Sequence, residues 1–355
     1  MSNNNRRSVL ANTGKVLVLG AAMSLVCNSI VRSQGIDVSK SGTTAATFLE
    51  IGVGAQAAGM GSAYVSVADN ATGLYWNPSV IATLDRVDVA VAHTNWIADT
   101  QFDFAGIVVP LADFGTLGFS MTSLSMSDMK VRTVDFPEGT GEYFSAGDLA
   151  AAISYSRRLT DRFAIGITVK YVQQSIWHEH AAGFAVDIGT IFKTDLLGGL
   201  TIGATLSNFG TGMQMAGRDA RRFVRIDPTM QGTNDRIPAA LEFDTWSLPL
   251  LFQFGVSTRV LDNAEYRWIV AADALHPNDN YESVNVGSEF AYADFLFLRA
   301  GYQSLLQSDA EAGLSFGGGM ATSDFLGTLR LSFDYAYQDM GRLQSVHVFM
   351  LGFRF

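Results

Sequence analysis

Few side chains in this sequence stand where they could do chemistry. His178-Glu179-His180 is the densest set of metal-ligand types. Three adjacent residues in a loop are a weak metal signal, and no further ligand set accompanies them. No metal is therefore expected. His93 and His347 fall in strand-like runs, in phase with the apolar side chains and near a rim, and nothing places a Ser beside either as a nucleophile. The Walker loop and H-E-x-x-H are both absent. The only cysteine, Cys27, falls in a segment expected to be removed, so thiol chemistry is not expected. The chain reads as a non-enzyme without a cofactor.

Two sets of charges carry more information. Asp187, Arg259, Asp273, Glu289, Arg299, Arg330, Asp334 and Arg354 all lie in the polar phase of alternating segments. Basic residues facing lipid at mid-depth would cost about 2–4 kcal/mol each. The phase therefore sends these residues into a lumen, as an interlocked polar lining or as a selectivity ring. The second set is Arg218, Arg221, Arg222 and Arg225, with Phe223, Met213 and Met215 nearby. A basic, apolar patch in an acidic chain suits a partner or acidic surface sugars.

Those charges need elements to position them, and the dominant period is two from about residue 86 onward. Phe163, Ile165, Ile167, Val169 and Tyr171 alternate with Ala164, Gly166, Thr168 and Lys170. Leu329, Leu331, Phe333, Tyr335 and Tyr337 alternate with Arg330, Ser332, Asp334 and Ala336. One face of each strand is apolar and the other small or charged. Fourteen strands are predicted: 86–96, 101–110, 115–124, 148–158, 162–173, 182–193, 199–207, 251–261, 266–275, 282–292, 295–304, 309–319, 327–338 and 344–355. Most are long enough to cross the hydrocarbon when tilted. An even count suits a single-chain bacterial barrel.

The connections alternate in length. Short ones at 111–114, 159–161, 194–198, 262–265, 293–294 and 321–326 suit periplasmic turns. Long ones at 125–147, 175–181 and 208–250 suit external loops. An even count returns the C-terminus to the periplasmic end, where the N-terminal segment is also expected to begin.

Composition agrees. Hydrophobic residues make up 48% and charged residues 16%, against about 25% charged in soluble proteins. No segment beyond the leader has the roughly 18 apolar residues of a spanning helix, which leaves a closed barrel. Arg6, Arg7 and Lys15 precede the apolar run 16–26, with Val31 and Ser33 at cleavage positions, as in a secretory signal peptide. Val26 before Cys27 argues against lipidation. Removing the four positive charges of residues 1–33 takes the net charge from −10 to −14, which disfavours nucleic acid. Phe353 and Phe355 end the last strand on its apolar phase, like the assembly signal read by the outer-membrane insertion machinery.

Residues 47–85 do not alternate. They carry Gly52, Gly54, Gly59 and Gly61, then Asp69 and Asn70, then Trp76-Asn77-Pro78. Glycines allow close backbone approach or positive φ, and Asn77-Pro78 ends any helix before it. A compact plug or hatch threaded into the barrel is expected. Asp69 and Asn70 could cap local backbone or bond lumen residues.

The run Phe48-Leu49, Gly52, Gly54-Ala55, Ala58-Gly59-Met60-Gly61, Ala63-Tyr64, Ala68-Asp69 and Leu74-Tyr75-Trp76-Asn77-Pro78 resembles the N-terminus of the PorV/PorQ family, a branch of the FadL-like outer-membrane barrels. Ser79-Val80-Ile81 stands where that family continues Ala-Gly-Leu, and Asn70 stands where it favours Asp. The resemblance implies an all-β, transmembrane antiparallel barrel of about 14 strands with an N-terminal plug. It also implies one of two roles. The first is a type IX secretion component that binds exported proteins or secretion partners through external loops. The second is a FadL-like channel for small hydrophobic molecules. The chain is thus divided into a signal peptide (1–33), a plug or hatch (34–85) and a barrel (86–355), set in the lipid of a Gram-negative-type outer membrane.

Overall fold

The computed structural model describes residues 40, 42–196, 199–225, 236–307, 310–322 and 329–355. The expected signal peptide lies outside the described residues. Fourteen long strands form the wall: β1 (Asp88–Asn95), β2 (Gln101–Pro110), β3 (Thr116–Ser125), β4 (Ala146–Thr160), β5 (Phe163–Ile176), β6 (Glu179–Thr194) and β7 (Leu200–Gly210), followed by β8 (Leu251–Asp262), β9 (Tyr266–Pro277), β10 (Ser283–Tyr292), β11 (Leu296–Leu305), β12 (Leu314–Ala321), β13 (Arg330–Asp339) and β14 (Ser345–Arg354). Each pairs antiparallel with its neighbour in chain order. β1 also pairs with β14, Val91 opposite Leu351, so the sheet closes. Closure leaves no free edge, as a bilayer requires.

The strand phase sorts the side chains. On β5, Ala164, Gly166 and Thr168 are buried inside, while Ile165, Ile167 and Val169 are exposed outside. Phe119, Phe316, Phe333 and Leu351 extend the exposed apolar exterior around the barrel, the surface lipid would cover. No helix among the described residues is long and apolar enough to cross a membrane; the strands are the crossing elements.

Residues 126–145 and 211–250 form the two long connections, both at the same end of the barrel, here called the outer end. The first holds a small hairpin, Met129–Lys130 with Tyr143–Phe144. The second holds another, Arg221–Val224 with Ile237–Ala240. The predicted loop 175–181 is a correction: β5 runs to Ile176 and β6 starts at Glu179, leaving a two-residue turn. Trp177 makes that turn at φ 51 and stacks on His178.

The N-terminal segment also enters differently from expectation. Thr44 bridges to Ser247 and its hydroxyl donates to Asp279 at 2.5 Å, both partners being on outer loops. The segment therefore starts at the outer end, crosses the lumen and joins β1 at the inner end. A non-periodic segment carries no direction in its sequence, so only its partners reveal this. Short helices at Thr47–Glu50, Ala55–Gly59, Gly73–Trp76 and Pro78–Thr83 make it compact. Its Phe48, Leu74 and Ile81 form a core with Phe102, Val108 and Met350 of the wall, and its Met60, Tyr64 and Trp76 form a second with Ala164, Ile191 and Ala271.

The wall makes room with inward glycines. A Cβ on Gly301 of β11 would lie 2.2 Å from the Gly61 nitrogen, and one on Gly189 of β6 would lie 2.2 Å from Asn77 Oδ1. At Gly301 segment and wall meet backbone to backbone, and at Gly189 the Asn77 amide and Pro78 ring fill the space. Gly166, Gly203 and Gly287 meet the backbone of Pro78, Val65 and Met60 as Gly301 does that of Gly61. The segment thus touches strands around most of the barrel.

Candidate functional site

The lumen, divided by this segment, is the candidate site. Asp273 of β9 is fully buried, and its Oδ2 accepts the backbone N–H groups of Tyr64 (2.8 Å) and Val65 (2.9 Å). Asn77 is fully buried as well. Its Nδ2 donates to the carbonyls of Val65 (3.1 Å) and Thr190 (3.0 Å), and its Oδ1 accepts from Ser79 N–H and hydroxyl. It caps the helix that Pro78 opens, a position where proline's missing N–H costs nothing. Trp76 Nε1 donates to Val53 O at 2.8 Å. Asn70 Oδ1 accepts from Thr72, and its Nδ2 donates to Gln56 Oε1. The Asp69 carbonyl accepts from Arg354 at 2.6 Å. Gly54 and Gly61 hold φ of 90 and 61. Gly52 packs against the Trp76 ring and Gly59 against Gly317.

The inward charges are mostly paired. Arg299 is buried, with Nε donating to Glu289 (2.7 Å) and Nη1 to Asp334 (2.6 Å). Gln56 of the segment donates to the other Asp334 oxygen at 3.0 Å. Asp187 pairs with Lys170 at 2.8 Å and accepts from Asn208 N–H. Arg354, half-buried, pairs with Asp88 at 2.7 Å. Arg330 donates to the Asp294 carbonyl at 3.0 Å. Arg259 keeps the inward register of Gly255 and Ser257 and lies exposed at the inner mouth of the lumen, beside Ala68 and Asp69 of the segment and paired with Asp262. Sequence reasoning did not single out Lys170, Asp88 or Arg267 as partners. Lys170 sits in the same inward phase as Thr168, a signal that phase alone could have yielded.

The segment separates two chambers that share no lining residue. The inner one, about 220 Å³, is charged: Arg267, Arg299, Arg330 and Arg354 face Asp69, Asp88, Glu289, Asp294 and Asp334 across it. The outer one, about 450 Å³, has Glu50 as its one charged lining residue; amides, hydroxyls and aromatic rings share the rest of the lining with Ile51, Leu251, Leu275, Pro277 and Met340. The Glu50 carboxyl is pushed up to about 7, first by desolvation and then by nearby Asp279. Glu50 keeps exposed surface because it borders the chamber, although packed chain surrounds its carboxyl. Burial likewise raises the Tyr75 hydroxyl.

The basic loop is an outer arm. Arg218 donates to His178 Nε2 at 2.6 Å, while His178 Nδ1 meets Asp219 at 2.7 Å. Both His178 nitrogens are thus engaged within the protein, and Glu179 Oε1 accepts from Asp219 and Ala220 N–H. Among the described residues, no group of three metal-ligand types comes together. Arg221, Arg222, Arg225 and Phe223 are exposed. Met213, expected in this patch, is instead buried in the core under the arm, and Met215 packs beside it half-buried. Residues 226–235 of the arm lie outside the described residues. His93 pairs with Asp103 on the outer surface, and His347 Nδ1 with the Tyr335 hydroxyl. Phe353 is half-buried, and Phe355, exposed, donates its N–H to Val87 O.

Comparison with known structures shows the fold. The Pseudomonas putida toluene transporter TodX is 14% identical, with a TM-score of 0.53 over 85% of this chain and 97% of that one. CymD, a monoaromatic hydrocarbon channel, is 12% identical, with a TM-score of 0.52 over 86% and 97%. The Ralstonia pickettii toluene transporter TbuX is 11% identical, with a TM-score of 0.50 over 85% and 98%. No curated protein matches. Barrel and family together point to the outer membrane and to a barrel without catalysis. The family model described as type IX secretion system protein PorV matches residues 35–224, more than half of the chain, and the chain belongs to that family.

Proposed function

We propose that this barrel is a non-enzymatic outer-membrane component of type IX secretion in a Gram-negative-type bacterium, holding exported proteins or secretion partners at its outer end. The observation that carries the reading is a contrast within the barrel. Residues 47–84 fill the lumen and bond to the wall, whereas Arg218, Arg221, Arg222 and Phe223 stand exposed on the outer arm. In this reading residues 34–85 act as the plug. Its Gly52, Gly54, Gly59 and Gly61 permit close passage along the wall, and Asp69, Asn70, Trp76, Asn77 and Pro78 fix its shape. The arginines of the arm, Arg225 included, attract an acidic partner. Phe353 and Phe355 serve recognition by the insertion machinery.

Affinity capture of the folded barrel from outer membranes, followed by mass spectrometry, tests this. Exported proteins with a shared C-terminal domain, or a large secretion pore, are expected with the wild type. The combined variant Arg221→Glu, Arg222→Glu, Phe223→Ser is expected to lose at least tenfold of that capture while keeping its heat-dependent gel shift. Equal capture by the variant sinks the role of the arm.

The likeness to two toluene transporters favours a second reading, uptake of small hydrophobic molecules. It requires a continuous apolar route, and the charged inner chamber beyond the segment weighs against one. Saturable toluene binding by wild type, altered in Asn77→Ala, would restore it.

A further inference from the structure

The outer chamber has a chemistry that neither reading uses. Trp76 and Tyr75 of the internal segment form part of its lining, with β8, β9, β10, β11 and β13 around them. Its volume, about 450 Å³, is that of a small-ligand pocket.

Gln253 decides what such a ligand would be. It is 5% exposed, lies on the inward phase of β8 and lines the chamber. Its side-chain amide has no hydrogen-bond partner among the described residues. The Ser283 hydroxyl, on a residue 8% exposed, and the Trp96 indole N–H also lack partners there. The Gln253 amide opens onto the chamber, unlike Ser66 Oγ, Arg267 Nε and Asp273 Oδ1, which are sealed in the lumen without partners. A donor–acceptor pair that borders a cavity without a protein partner bonds whatever fills that cavity, water or a polar ligand.

The chemistry of that ligand follows by elimination. An apolar molecule would strip water from Gln253 and Ser283 and return no hydrogen bond. An anion would meet the Glu50 carboxyl, with Asp279 close behind it. A neutral molecule with hydroxyls on its edge and C–H groups on its faces meets both the amides and hydroxyls and the apolar lining of Ile51, Leu251, Leu275 and Met340. An amide donates and accepts through one planar edge, which suits adjacent hydroxyls. Aromatic side chains offer an apolar surface with a polar tip, which suits the C–H face of a sugar ring. Trp96 and Tyr281 supply such surfaces at the chamber.

We propose that the outer chamber binds a neutral mono- or disaccharide, with Gln253 and Ser283 bonding its hydroxyls and Trp96 and Tyr281 contacting its ring faces. This site stands independently of the type IX reading. The full chain, in a detergent without a sugar headgroup, is titrated with glucose, N-acetylglucosamine, lactose and maltose. Laurate serves as the apolar comparator, and saturation-transfer NMR reads the binding. A lactosyl lipid in nanodiscs separates a membrane glycan from a free solute. At least one of these sugars, free or lipid-linked, is expected to bind saturably, and Gln253→Leu to weaken it at least tenfold without weakening laurate. Trp96→Ala, in an outer loop, gives a second loss should Gln253→Leu fold poorly. Absence of saturable binding by every saccharide, or sugar affinity unchanged in the folded variants, overturns the proposal.

Discussion

The two chambers share one barrel and one dividing segment, yet they are built from opposite chemistry. Nine charged side chains line the inner chamber and one lines the outer. Most inner charges are committed to each other: Arg299 to Glu289 and Asp334, Arg354 to Asp88, Arg267 to Asp294. Buried charges persist only with close partners, so these pairs serve to tie strands and segment together. The outer chamber's neutral amides tolerate an open valence at far lower cost. That difference makes the inner chamber a fastening and the outer one a receptacle.

Arg299→Met breaks the fastening where it is strongest. It leaves Asp334 buried without its cation and Glu289 with only Arg267 at 3.7 Å, a loss of about 3–5 kcal/mol. The heat-dependent gel shift is expected to fall to a markedly lower temperature, and a stability within error of wild type would show that the ion pairs hold nothing. Gly301→Val attacks the same contact from the wall. Its Cβ would meet the Gly61 nitrogen and the Met60 carbonyl carbon, both at 2.2 Å. Backbone cannot yield as a flexible side chain does, so the cost is about 3 kcal/mol, the upper end of overpacking. Protease cleavage within residues 47–84 is expected to rise sharply. An uncleaved variant would mean that the segment can shift bodily.

Much of this division was legible from strand phase. Arg299, Glu289 and Asp334 lie in the inward phase of three strands, and the structure brings them into one cluster. Phase says which face a residue takes but not which neighbour it finds, so the cluster itself was not legible. Phase placed Arg259 on the inward face but said nothing of its depth, so its exposed position at the inner mouth, paired with Asp262, was not legible. The turn at 177–178 was hidden because polar His178-Glu179-His180 reads as loop, although Glu179 and His180 continue the ladder to Ile176 and Ser175. Gln253 looked like ordinary polar lining. Only its missing partner distinguishes it, and partners are a property of three-dimensional placement.

Asn77→Ala is a milder break. It strands the Val65 and Thr190 carbonyls and removes the cap at Ser79, a cost of about 1–3 kcal/mol. The damage is expected near β6, with faster hydrogen exchange at Val65–Ser79 and little change at the outer arm. Uniform acceleration over the whole segment would instead make Asn77 a global support.

The smallest expected effect tests the outer end of the divider, where a single charge borders the receptacle. Glu50 sits beside Asp279, which also accepts the Thr44 hydroxyl that anchors the segment's start. Its carboxyl is raised from 4.5 to about 7. A raised carboxyl binds its proton more tightly in the folded state, so its stabilising contribution is complete below about 4.5 and is lost as pH rises through 7. Above that, two carboxylates face each other beside the anchor. A spin label at Thr43, an exposed position, should therefore become more mobile between pH 5 and pH 8. Glu50→Gln, which cannot ionise, should hold the low-pH mobility throughout. If wild type and Glu50→Gln follow the same profile, the anchor owes nothing to this pair. The outer chamber's neutrality would then be a matter of lining alone rather than of how its edge is fastened.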